Sequence, residues 1–74
     1  MKKAQLQQII IDISKMDKSE LNKYAQKVYL SKDGIKPEAF SFIERALDIQ
    51  LMNLCENTTI SPLAICSEIR EGEL

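Results

Sequence analysis

Residues 37–56 read PEAFSFIERALDIQLMNLCE, the longest stretch of the chain with an unbroken helical pattern. Projected at about 100° per residue, Phe40, Ile43, Leu47, Leu51 and Leu54 share one strip, and Ala39, Ala46, Phe42 and Ile49 widen it beyond half the circumference. A helix lying on a protein surface carries a narrower apolar stripe, so this pattern predicts a central helix flanked by shorter ones, with Leu47 and Leu51 buried. Its polar residues are Ser41, Glu44, Arg45, Asp48 and Glu56. Glu44 and Asp48 stand four apart, where like charges repel in an isolated helix. A solvated face is the ordinary reason for such a pair; a surface that receives a cation is the functional one. Ser41, Glu44, Arg45 and Asp48 are therefore the candidate contacts for a protein partner.

The rest of the chain fits around that helix. Leu6, Ile9, Ile10, Ile13 and Met16 recur at three and four, which predicts a first amphipathic helix from Ala4 to Met16. Asp17, with Glu20 three residues later, has the form of a capping box, and Leu21, Tyr24, Ala25 and Val28 make the stripe of a second helix running to about Leu30. Tyr24 and Tyr29 are expected at the edge of the core with wet hydroxyls. SKDGIK, residues 31–36, is the main loop, and Pro37 suits the first helical position because its missing amide has no partner to lose there. After Asn57-Thr58-Thr59, Ile60-Ser61-Pro62 predicts a last helix from Leu63 to about Glu71, with Ser61 as its cap, Ile60 stapled onto Ile65 and Gly72 beyond its end.

These elements make an all-α, single-domain bundle of four helices, residues 1–74, with one long central helix. At 74 residues a single core contributes only a few kcal/mol, so help from a partner is expected. Ile11 and Met52 lie off the stripes, and a homodimer that buries such leftover surface is expected. There is no tryptophan, so isoleucine and leucine must fill the interior. No apolar run approaches the ~20 residues of a membrane-spanning helix. The two cysteines, without an apolar leader, are read as reduced thiols of a cytoplasmic protein, buried as small hydrophobes. With no histidine in the chain they do not complete a zinc site, and no metal or cofactor is expected.

Net charge is −1, but it is unevenly placed. Residues 1–36 hold eight lysines against four acidic residues, an excess of +4, and residues 37–74 hold two arginines against seven, an excess of −5. Opposite halves favour a basic partner for the acidic side or head-to-tail association. No serine or cysteine has a recognisable base, and there is no glycine-rich phosphate loop and no apolar cleft with paired carboxylates in the pattern. Glu44 and Asp48 alone are a poor cation site, because hard cations take six or more oxygens. Enzymatic activity is not expected, which leaves a binding or regulatory role.

Two resemblances sharpen that role. Leu54, Thr58, Ile60, Ser61, Ile65 and Ile69, in LCENTTISPLAICSEIRE (54–71), resemble the helix-turn-helix of repressor-type DNA-binding domains. That resemblance implies DNA contact through Ser61, Leu63, Ala64, Ser67 and Arg70. Thr59 stands at the turn glycine and Cys55 at the small alanine, and Leu63, Ala64 and Cys66 replace the Arg, Gln or Asn that read base edges. The segment also lies in the acidic half, where attraction to phosphates is absent. The whole chain resembles the Hha/YmoA family of small helical modulators, which work by binding the nucleoid protein H-NS. The residues that carry this are Tyr29-Leu30-Ser31 before the loop, Phe40, Asp48, and Ile60-Ser61-Pro62 at the last helix. The family's adjacent alanines, its Asp-His-Arg signature and its last-helix tryptophan are missing. The resemblance implies a small interaction module that modulates gene expression through protein contacts. Direct DNA binding, and a structural subunit or inhibitor of an unrelated partner, are the alternatives.

Overall fold

The computed structural model describes residues 2–69. It is all-α, with three α-helices, α1 (Lys3–Ser14), α2 (Lys18–Leu30) and α3 (Pro37–Glu56), a 3₁₀ turn at Lys32–Gly34, and a last 3₁₀ helix at Pro62–Glu68. The order of two short helices, one long helix and a short last one is that expected. The last element differs: it is 3₁₀ rather than α, and its expected end from Arg70 onward, with the Gly72 cap, lies outside the described residues.

The boundaries have local causes. Asp17 is the cap of α2, its Oδ1 accepting the Glu20 amide at 2.8 Å. α3 starts with Pro37 after the extended Lys36, and stops where Asn57 takes a left-handed conformation (φ 54°) that asparagine tolerates better than most residues. Asn53, one turn earlier, holds the following loop. Its Nδ2 donates to the Ile60 carbonyl, and its Oδ1 accepts from the Thr58 hydroxyl at 2.6 Å and the Ile60 amide at 3.0 Å. Ser61 Oγ accepts the Leu63 amide at 3.3 Å, opening the 3₁₀ helix as its sequence predicts. α1 ends at Ser14, two residues early, yet Met16 still packs against the core.

α3 is the shared wall of the fold. α1 and the 3₁₀ helix pack on it and on each other, and α2 packs along it from another side. The core consists of Leu6, Ile10 and Ile13 of α1, Ala39, Ile43, Ala46 and Leu47 of α3, Ile65 and Ile69 at the C-terminal end, and Leu21 and Val28 of α2. The molecule is a slab of 35 × 26 × 15 Å. Packed helices lie ~8–10 Å apart, so the short axis holds two layers, and among the described residues no third layer closes over α3.

Three expectations fail for that reason. The buried face of α3 is Ala39, Ile43, Ala46, Leu47 and Gln50, rotated from the Phe40–Leu54 strip. Leu51 is 40% exposed and Leu54 37%, because the last turns of α3 outrun the elements packed on it. Cys55, on the same overhang, is exposed rather than a buried thiol, while Cys66 is half-buried; both are free. At the centre of the rotated face sits the polar Gln50, 7% exposed, whose Nε2 donates to the Met16 carbonyl at 3.0 Å. That bond closes the end of the α1–α2 connection onto α3.

Candidate functional site

Glu44 and Arg45 are neighbours in sequence that reach opposite neighbours in space. The Arg45 guanidinium grips Glu68 of the 3₁₀ helix with two bonds, 2.8 Å and 3.3 Å. Both side chains are about half exposed, 49% and 51%, so this fork fixes the last element more than it stabilises the fold. Glu44 turns toward α2, where its Oε2 accepts the Tyr29 hydroxyl at 3.1 Å. Asp48 lies one turn further along α3, exposed, with no ion pair among the described residues. Ser41 is exposed and makes no hydrogen bond among the described side chains.

The four candidate residues therefore do not act as one group. Glu44 and Asp48 share the α2-facing edge of α3, and Arg45 belongs to another interaction. Between that edge and α2 lies a cleft of about 220 Å³ lined by Leu21, Asn22, Ala25, Tyr29, Leu47, Asp48 and Leu51. Leu21, Ala25, Leu47 and Leu51 make its apolar lining, Asn22 of α2 and Asp48 of α3 its polar lining, and no lysine or arginine is among the lining residues. It opens onto a wider surface along α2 that ends at Leu30, which is 88% exposed.

Tyr29 is the site residue that sequence patterning passed over. Its ring meets Phe40 edge-on, 5.5 Å between centroids at 70°, and the Lys32 ammonium sits over the Phe40 ring, 5.6 Å from its centroid. The signal was present: Tyr29 follows Val28 off the buried stripe, on the flank of α2 that an adjacent α3 must meet. The Glu44 carboxylate, by accepting its hydroxyl, holds the Tyr29 phenol above its ordinary value; partial burial and the charge of Asp48 act the same way. Tyr24 is also raised, chiefly by burial and then by Asp12. The folded chain thus keeps both protons to higher pH than the unfolded chain, so stability declines as pH rises above about 10. Absorbance at about 295 nm should show both phenols ionising above 10, and Glu44→Gln should lower the Tyr29 midpoint alone. A Tyr29 midpoint unmoved by that change would remove the carboxylate as the cause.

The residues of the DNA-contact expectation take different positions. Ser61 is used as a cap, Leu63 is 42% exposed, Ala64 is exposed, and the Ser67 hydroxyl donates back to the Ala64 carbonyl at 2.9 Å. Arg70 lies outside the described residues. A seven-residue 3₁₀ helix places every third side chain in one row, which is not the α-helical surface that lies in a major groove.

Among the described residues, no group of three His, Cys, Asp or Glu side chains is placed to hold a metal ion, and no helix is long and apolar enough to cross a membrane. No protein-family model matches the chain, and neither the curated proteins nor the solved structures contain a significant match to it.

Proposed function

We propose that the protein is a small interaction module, one that modulates gene expression by binding another protein through the α2-facing edge of α3. The observation that carries this reading is the pairing of Glu44 and Asp48, one turn apart on the longest helix, with the apolar cleft of Leu21, Leu47 and Leu51 beside them. A partner segment with one or two lysines or arginines beside apolar side chains matches both features. The carboxylates stand on a rigid backbone, so docking orders little that is not already ordered. Their charge governs encounter rate and partner choice, and the apolar walls supply the affinity.

The test is capture from the native cell with tagged protein, comparing the parent chain with the Glu44→Lys/Asp48→Lys variant after circular dichroism has shown equal helicity. Specific capture should fall at least tenfold, about 1.4 kcal/mol, in the double variant. Equal capture by both chains would return the two carboxylates to a merely solvated face. Retention of duplex DNA, falling steeply with salt and strengthened by the added lysines, would instead support the helix-turn-helix alternative.

A further inference from the structure

We propose that α2 is a strap that opens from α3 as a unit while the rest of the core stays folded. The burial is lopsided. α1, α3 and the C-terminal 3₁₀ element supply nearly all of the buried apolar residues, and α2 supplies Leu21 and Val28 alone, with Tyr24 and Ala25 half-buried between them. α1 and the 3₁₀ helix each pack closely on two elements of the core, whereas α2 packs chiefly on α3 and on the short turn that follows it. Its seam with α3 is incomplete, since the cleft of about 220 Å³ runs between Leu21 on one wall and Leu47 and Leu51 on the other.

Two clasps hold the strap at its ends. At the start, Gln50 of α3 takes the Met16 carbonyl just before the Asp17 cap. At the finish, Tyr29 bonds to Glu44 and meets Phe40 edge-on, and the Lys32 ammonium lies over the same Phe40 ring. The second clasp is largely in solvent, Tyr29 being 52% exposed. Helical segments with few buried apolar contacts open at lower free energy than the global transition. The segments that join α2 to α1 and α3, residues 15–17 and 31–36, contribute Met16 and Ile35 to the edge of the core but no fully buried side chain. Opening exposes the flank of α3 that runs from Phe40 through Leu47 to Leu51, which makes access to that face conditional on α2. The strap is a property of the isolated chain and does not depend on the partner reading above.

The test is native-state hydrogen exchange on the full chain at low urea, in the parent and in Ile10→Val. Ile10 is fully buried in α1 and does not line the cleft between α2 and α3. In the parent, the amides of Leu21 to Leu30 should be at least tenfold less protected than the interior amides of α1 and α3. Ile10→Val weakens the core that remains folded when the strap opens, and removal of one buried methylene typically speeds global opening about two- to tenfold. Exchange in α1 and α3 should accelerate by that factor, and exchange in α2 should not change, because its opening leaves Ile10 in place. Acceleration of α2 by the same factor as α1 and α3 would show that α2 opens only with the whole molecule and would overturn the proposal.

Discussion

Ile43→Ala is expected to lower the stability of the domain by about 2 to 5 kcal/mol. Ile43 is 1% exposed and sits on the rotated, buried face of α3, so the lost atoms leave a cavity in the core. A domain of this size commands on the order of 4 to 11 kcal/mol in total, so the change removes a large share of it. Since 1 kcal/mol moves the midpoint of so small a domain by about 4 to 8 °C, thermal melts should separate by about 8 °C or more. Leu51→Ala is the internal control. At 40% exposure it should cost about 1 kcal/mol, although the sequence pattern places it on the same strip as Ile43. Equal losses for the two variants would mean that α3 is covered along its whole length and that the slab described above is wrong.

The second large effect concerns Gln50. Gln50→Glu keeps the shape but replaces the amide that donates to the Met16 carbonyl with a carboxylate that has nothing to donate. At neutral pH a 7% exposed carboxylate then faces a carbonyl oxygen, which should cost about 2 to 4 kcal/mol. The sign of its pH dependence is definite. Burial without a partner raises the new carboxyl's folded value above the ordinary glutamate value near 4.3, so stability is retained below that value and lost as pH rises through the folded one. Protonated, the side chain again donates to Met16. Urea melts at about pH 4 and pH 7 should therefore show the variant close to the parent in acid and well below it at neutrality. A constant difference at both values would mean that the Met16 bond does not hold the α1–α2 connection.

Much of this architecture was legible because local chemistry and long-range packing agreed. The α3 pattern, with Pro37 at its start, gave bounds that the structure keeps, and Asp17 marked the start of α2 through the same amide it caps. The failures cluster where local pattern met a finite neighbour. Leu51, Leu54 and Cys55 have core-like spacing, but helix periodicity carries no information about where the packed elements end. Gln50 occupies the middle of the buried arc, yet its polarity placed it outside any apolar strip, and its partner is a backbone carbonyl 34 residues away. The last helix was predicted as α from its cap and proline, signals common to the start of either helix type; Pro62–Glu68 is 3₁₀.

The candidate site was half legible. Glu44 and Asp48 were found by their spacing, and the structure places both on the edge that faces α2. Arg45 and Ser41 were grouped with them because all four are polar positions of one helix. A helix has several neighbours, however, and Arg45 turns to Glu68 instead. Tyr29, the phenol that engages Glu44, comes from a different helix 15 residues away, and single-helix projection does not join the two.

The most direct measurement of the proposed interaction is a map of backbone amide shifts on the isotopically labelled chain, titrated with the captured partner and in parallel with duplex DNA. The account predicts that the partner moves the amides of Ala25, Tyr29, Glu44, Leu47, Asp48 and Leu51 most, with those of α1 little changed and no saturable response to DNA. Largest shifts in Ser61 to Ser67, saturating with DNA and collapsing with salt, would contradict it.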